Sequence, residues 1–149
     1  IKHKIFVHKP FKREEPAFMK RVWVNGCFDV LHLGHVRMLE FAKSLGGNLV
    51  VGIDSDTRVS NLKGEDRPIN NQLSRSEFLV ALRSVDSVVV FDSKCEMRKL
   101  LKTHRITDMV VGEEYKGKEI TGEDLVKRIH FFPRVGDFST TKILKGSNR

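Results

Sequence analysis

The chain has 149 residues, of which 40% are hydrophobic and 31% charged, and its formal net charge is +8. This length and composition predict one globular domain. They argue against a membrane-spanning protein, because no apolar run approaches the roughly 20 residues that cross a bilayer. The two cysteines lack C-x-x-C spacing and favour free thiols. We therefore expect a cytoplasmic protein without a secretory leader.

The amino-terminal residues differ from the rest of the chain. Residues 1–21 contain seven Lys and Arg against two Glu, and Pro10 and Pro16 interrupt them. We predict a basic extension over residues 1–20 and a folded domain over residues 21–149. The extension fits either a solvated tail or an arm that contacts a partner subunit or a phosphate.

From Arg21 onward, short apolar runs alternate with amphipathic segments. Strands are predicted at residues 22–24, 49–53, 88–91, 109–111 and 129–132. The periodicity predicts a first helix over residues 35–45, which Gly46 and Gly47 terminate. Five alternations of strand and helix predict an α/β fold, a doubly wound (Rossmann-like) five-stranded parallel sheet with helices on both faces.

Three further helices are predicted from capping patterns. They begin at Ser74-x-x-Glu77, Ser93-x-x-Glu96 and Thr121-x-x-Asp124, and the first two extend to about Leu82 and Lys102. A short terminal helix is predicted after residues 139–141. Residues 54–73 are mixed and polar and contain Gly64 and Pro68, which predicts a long loop that includes about one helical turn. Loops of this length are usually functional.

The segment NGCFDVLHLGH, residues 25–35, follows the first strand and therefore lies where α/β sheets bind ligands. His32 and His35 are three apart and face the same way on a first helical turn. Free N–H groups at a helix amino terminus attract phosphate, and Gly34 lets a ligand approach the backbone. The segment is neither a P-loop nor GxGxxG. Zinc is disfavoured because no third ligand accompanies the histidines, and simple helix capping is the remaining alternative.

Here the residues resemble a known family. Gly26-x-Phe28-Asp29-x-x-His32-x-Gly34-His35 resembles the GxFDxxHxGH signature of the cytidylyltransferase-like nucleotidyltransferases. Leu62-Lys63-Gly64 with Arg67-Pro68-Ile69 resembles LKGxxRPI of the heptose-1-phosphate adenylyltransferase domain of bacterial ADP-heptose synthases, whose NGCFD wording also matches. Ser139-Thr140-Thr141 resembles the STT of the family. Residues 112–115 resemble the GGDY or GDDW segment of the family. In this segment and at Arg134 the chain is more similar to glycerol-3-phosphate cytidylyltransferase.

The resemblance implies transfer of a nucleotidyl group from a nucleoside triphosphate, with ATP favoured, to a sugar phosphate such as heptose 1-phosphate, with release of pyrophosphate. It implies catalytic roles for His32, His35 and Lys63. The nucleotide contacts it implies are Asn25, Gly26, Cys27, Phe28, Asp29, Gly34, Gly112, Glu114, Tyr115, Ser139, Thr140 and Thr141. Arg83 and Arg134 are candidates for the acceptor phosphate, with surface ion pairs as the equal alternative. Asp29 is expected to orient the loop or a histidine rather than to act as a base.

The same resemblance implies Mg²⁺ held through the substrate phosphates and a homodimer. It also implies either a separate kinase or that this chain is a fragment of a longer protein. Glycerol-3-phosphate cytidylyltransferase using CTP is the alternative within the family. A non-catalytic nucleotide- or RNA-binding module is the alternative from another class, and the net charge of +8 is its only support. Nucleic acid is disfavoured because aromatic and basic residues are not interleaved.

Overall fold

The computed structural model of the chain describes residues 19–134. The predicted basic extension, apart from its last two residues, and the predicted terminal helix lie outside these described residues. The elements are β1 (Arg21–Gly26), α1 (Leu33–Ser44), β2 (Asn48–Asp54), α2 (Asp56–Lys63), α3 (Gln72–Ala81), β3 (Ser87–Phe91), α4 (Lys94–Thr103), β4 (Asp108–Gly112) and β5 (Arg128–Phe132). Two short 3-10 helices, Glu113–Tyr115 and Glu123–Leu125, lie between β4 and β5.

All five strands are parallel and lie in the order β3-β2-β1-β4-β5. The chain therefore builds outward from β1 to β3 and then returns to the other side of β1. The point where strand order reverses lies between β1 and β4, where α/β sheets place their ligand crevices. The predicted α/β fold with a five-stranded parallel sheet is confirmed.

Successive strand residues point to opposite faces of the sheet, and each face has its own apolar core. Val22 and Val24 of β1 pack with Leu39 of α1 and Leu79 of α3 on one face. Trp23, between these valines, packs on the other face with residues of α4 such as Leu101. Because both faces are covered, the strands are apolar in nearly every position.

Residues 54–73 differ from the prediction. The structure contains the eight-residue helix α2 within the segment that we predicted to be mainly loop. Only Val59 of this helix is buried, so the sequence has no apolar periodicity there. The helix is stabilised instead at its start, where the Ser55 side chain accepts a hydrogen bond from the backbone N–H of Arg58.

The capping predictions had mixed outcomes. The amino-terminal cap of α3 is Asn71, whose side chain accepts from the Ser74 N–H, so the predicted cap at Ser74 is wrong. Ser93 does cap α4, although the Glu96 carboxylate accepts from the N–H of Asp92 rather than of Ser93.

The helix predicted from Thr121 is also wrong. Gly122 has a left-handed φ of +83°, so the chain forms only the 3-10 turn Glu123–Leu125. Asp124 does not cap a helix and instead pairs with Arg98 of α4 at 2.7 Å. Among residues 19–134, no helix is long and apolar enough to cross a membrane.

Candidate functional site

An open cavity of about 600 Å³ lies at the carboxyl edge of the sheet. The pairing of β1 with β4 involves only Val22 with Asp108 and Trp23 with Met109. The carboxyl ends of these two strands are therefore not paired with each other, and the cavity lies between them. Many of the residues predicted for the site line it: Asn25, Gly26, Cys27, Phe28, His32, Gly34, His35, Lys63, Gly112, Glu114, Tyr115 and Arg134.

The two histidines form a reciprocal cap at the start of α1. The His32 N–H donates to Nδ1 of His35 at 3.3 Å, and the His35 N–H donates to Nδ1 of His32 at 3.4 Å. The rings stack with centroids 3.7 Å apart. Each Nδ1 must present its lone pair to accept, so the neutral rings carry their protons on Nε2. The capping alternative and the phosphate-binding hypothesis are thus compatible, because capping uses Nδ1 and places the proton of each neutral ring on Nε2.

The surroundings of the histidines disfavour their charged forms. Burial lowers the pKa of His35 to about 4, with further contributions from His32 and Lys63. The pKa of His32 is also lowered, by burial and by the Arg134 guanidinium. At neutral pH the free site therefore presents two neutral imidazoles, and an entering anion would raise the pKa of both.

The turn before the histidines has an unusual backbone. Phe28 has φ of +50°, a left-handed conformation that is strained for a bulky residue. Its ring is buried, and its centroid lies 4.9 Å from that of His35. A Cβ at Gly26 would lie 3.1 Å from the Phe28 ring, so the absence of a side chain at this position gives the ring room to support His35.

Asp29 lies beneath the site rather than in it. Its buried carboxylate accepts from Nε of Arg67 at 2.8 Å and from the backbone N–H groups of Ile69 and Asn70. Burial would raise the pKa of Asp29, but these donors outweigh it and hold the pKa below its usual value. Asp29 thus anchors residues 67–70 to the turn that carries the histidines, and it is absent from the cavity lining.

Arg75 makes a second set of ties that the sequence did not reveal. This side chain of α3 is fully buried and donates to the carbonyl oxygens of Cys27, Asp54 and Asn70 at 2.8–2.9 Å. It also pairs with Asp56 at 2.8 Å. The ends of β1 and β2, the loop before α3 and the start of α2 are therefore held by one guanidinium.

The far side of the cavity comes from β4 and the 3-10 helix that follows it. The exposed Glu114 side chain lies over Gly112, where a Cβ would come within 2.3 Å of its carboxylate unless that side chain moved. Tyr115 exposes about half of its surface (47%). The backbone N–H of Arg134 donates to Glu113 at 3.3 Å, which ties the end of the described chain to the same side.

Three other predicted residues lie at the cavity near β1. Asn25 accepts at 2.9 Å from the indole N–H of Trp23, so its amide is oriented from below. Burial raises the pKa of Cys27, which keeps it a neutral thiol despite the nearby Lys63 and Arg75. Lys63 is the last residue of α2 and is exposed at the cavity edge.

Not every predicted residue is brought to the cavity. Arg83 is exposed in the turn before β3, at the amino edge of the sheet, and it does not line the cavity. Residues 139–141 lie outside the described residues. The lining also includes Asp54, Arg58 and Lys94, which we did not predict. The signal available for Arg58 was Ser55 followed by Asp56, a pattern typical of a helix start, but this pattern does not indicate which residues of the helix face the cavity.

Comparison with known proteins adds independent evidence. The model of the family described as Cytidylyltransferase-like matches residues 23–145. "Bifunctional protein HldE" of a Nitratiruptor species is 47% identical over 126 residues, which cover 83% of this chain and 27% of that protein. The chain thus spans only about a quarter of the length of such relatives.

Solved structures support the same fold. The lipopolysaccharide core biosynthesis protein from Thermoplasma volcanium is 27% identical with a TM-score of 0.62, and the match covers 76% of this chain and 97% of that one. Thermotoga maritima TmcAL bound with alpha-thio ATP is 15% identical with a TM-score of 0.60, covering 87% of this chain and 50% of that one. At that identity the likeness concerns the fold alone.

Proposed function

We propose that this chain, which belongs to the cytidylyltransferase-like family, is a nucleotidyltransferase that transfers the adenylyl group of ATP to a heptose 1-phosphate. An oxygen of the sugar phosphate attacks the α-phosphorus of ATP, the bond from that phosphorus to the bridging oxygen breaks, and pyrophosphate leaves. The attacking phosphate is already ionised, so the reaction needs no general base. Catalysis therefore depends on positioning and on neutralising charge.

The reciprocal cap of His32 and His35 is the observation that carries this proposal. It fixes both rings at the start of α1 with their protons on Nε2, where backbone N–H groups and the helix dipole also favour phosphate. Lys63 adds a full positive charge at the edge of the same cavity. Together these groups can neutralise the extra negative charge of a phosphoryl-transfer transition state. We assign that catalytic role to His32, His35 and Lys63.

The nucleotide is proposed to lie between the histidines and the β4 side. Gly34 is part of the first turn of α1, and Gly112, Glu114 and Tyr115 line the opposite side, where an uncharged aromatic base fits. Mg²⁺ is proposed to enter with the triphosphate. Residues 19–134 contain no group of three His, Cys, Asp or Glu that could hold a metal, so the ion would be held by phosphate oxygens and water. Bound there, Mg²⁺ supplies positive charge to the triphosphate.

The choice of a heptose acceptor has two supports. The LKGxxRPI-like segment, residues 62–69, resembles the adenylyltransferase domain of ADP-heptose synthases, and the similar HldE proteins favour this over glycerol 3-phosphate with CTP. The similar Thermoplasma protein, named for lipopolysaccharide core biosynthesis, points the same way. We further propose a cytoplasmic homodimer, with the heptose phosphate produced by a sugar kinase.

The test is pyrophosphate release with Mg²⁺, with ATP and CTP crossed against heptose 1-phosphate and glycerol 3-phosphate. We expect release only with ATP and heptose 1-phosphate. In the same assay His35→Ala should lower kcat by about 10²-fold or more, because it removes a donor to the transition state. Its folded state is checked by circular dichroism.

Each other outcome has a definite meaning. Release only with CTP and glycerol 3-phosphate would replace both substrates of the proposal. Release in no combination, together with RNA binding that weakens steeply with salt, would support the non-catalytic alternative. A folded His35→Ala protein with near-normal kcat would remove His35 from the mechanism.

A further inference from the structure

One wall of the cavity has no role in the transfer described above. It is formed by the ends of β2 and β3 and the starts of α2 and α4, and its polar residues are Asp54, Arg58 and Lys94. Phe91 and Met97 supply its apolar part. This wall lines the same cavity as the histidines and the β4 side, so a second substrate bound to it shares the cavity with the nucleotide.

Arg58 is held in one orientation on this wall. Its Nε donates to Oδ1 of Asp54 at 2.7 Å, and its guanidinium carbon lies 5.7 Å from the centre of the Phe91 ring. The side chains of both charged residues are mostly buried, with 22% and 14% exposed. A guanidinium fixed at Nε by a carboxylate and packed on a ring loses little freedom when it binds a ligand.

The pair still has unused hydrogen-bonding capacity. Within residues 19–134, no hydrogen bond occupies Nη1 or Nη2 of Arg58 or Oδ2 of Asp54. Donors and an acceptor are therefore presented side by side at the cavity. Adjacent hydroxyl groups of a sugar, each of which both donates and accepts, complement this arrangement.

Charge distinguishes this wall from the one opposite. Arg58 and Lys94 lie here with Asp54, whereas the β4 side contributes Glu114 and Glu119 with Arg134. An acceptor that brings its own phosphate is attracted to the wall with the excess of basic side chains.

We propose that Asp54 and Arg58 form the sugar-binding subsite for the acceptor and determine which sugar phosphate is used. The Asp54 carboxylate accepts from one sugar hydroxyl, the Arg58 guanidinium donates to a neighbouring one, and the sugar phosphate then lies at Lys63 and the histidines. This inference rests on the proposed function, because it requires a polyhydroxylated phosphate acceptor.

The test is steady-state kinetics of Arg58→Met and Asp54→Asn with heptose 1-phosphate and ATP varied in turn. Each variant should lower kcat/KM for the sugar phosphate by roughly tenfold or more, because a hydrogen bond to a charged group is lost. The KM for ATP should change by less than twofold. Arg37→Met is the control, because Arg37 also pairs with an acid a few residues away in the chain, Glu40, but does not line the cavity.

Thermal unfolding of each variant monitors the fold, and Asp54→Asn, which preserves shape, decides the matter if Arg58→Met does not fold. An unchanged acceptor KM in a folded variant would overturn the inference and leave the proposed function intact. An equal rise in both KM values would also overturn it, because the pair would then serve the nucleotide. If the wild-type protein turns over no sugar phosphate, the proposed function and this inference fail together.

Discussion

The His35 side chain both caps helix α1 and packs against neighbouring rings. Its Nδ1 accepts from the backbone of His32, and its ring lies between the rings of Phe28 and His32. These contacts bury the imidazole and favour the neutral form, as its pKa of about 4 indicates. The side chain that we propose to bind phosphate is therefore one that the folded protein keeps uncharged while the site is empty.

This pKa predicts how stability depends on pH. The unfolded chain binds a proton at His35 below pH 6.5, whereas the folded chain does so only near pH 4. Protons therefore favour unfolding as the pH falls between these values. Relative to His35→Gln, the wild-type protein should lose up to about 2 kcal/mol more unfolding free energy between pH 7 and pH 5.

Urea unfolding of both proteins at several pH values measures this difference. Carboxylates titrate equally in the two proteins, so they do not contribute to it. Parallel curves for wild type and variant would mean that His35 titrates normally in the folded state.

At the scale of elements, helix α3 shows how local chemistry decides a boundary. Asn71 and Ser74 are both acceptable caps by residue type, but only the Asn71 side chain accepts a helix N–H. Asn71→Ala should cost about 1 kcal/mol of unfolding free energy. Ser74→Ala is the matched control and should cost only a few tenths, because its hydroxyl caps nothing. Chemical denaturation measures both, and equal losses would contradict the assignment.

The strands and most helices were predictable because apolar periodicity records burial. Helix α2 was not, since its single buried residue, Val59, leaves no pattern. The helix predicted at Thr121 failed for a different reason. The residues of a capping box, Thr121 and Asp124, were present. However, Gly122 adopts a left-handed conformation and Asp124 pairs with Arg98 instead. Local sequence patterns thus predict a helix that packs against the core. They fail where contacts with residues distant in the chain determine the backbone conformation.

At the scale of the whole molecule, Arg75 connects segments that are far apart in the chain. Its partners Cys27 and Asn70 belong to different turns, and all its contacts lie at the carboxyl edge of the sheet. We expect Arg75→Met to lower the unfolding free energy by about 3–5 kcal/mol, because buried carbonyls and Asp56 lose their donor. For a domain of typical stability, this loss is a large part of the whole free energy of unfolding.

Arg83→Met is the matched control, since Arg83 is exposed in the turn after α3 and should cost little. Denaturation midpoints and slopes in urea compare the two variants. Equal and small effects would mean that the edge of the sheet is held by other contacts.

The candidate site was predictable only in part. The histidine segment was identified because all the residues of its motif lie close together in the sequence, within residues 25–35. The wall of Asp54 and Arg58 was not, because it requires α2 to place one residue beside Phe91 of a later strand. Arg83 was predicted as a contact for the acceptor phosphate but lies away from the cavity. Its local sequence does not indicate at which edge of the sheet it lies.

The buried Trp23 gives the protein an optical signal of its own. It is the only tryptophan of the chain, and its indole N–H donates to Asn25, which lines the cavity. Any ligand that draws the Asn25 amide toward itself must weaken the bond to the excited indole. We therefore expect the ultraviolet emission of this one side chain to report unfolding and also any ligand that binds Asn25, so that binding could be followed without a label.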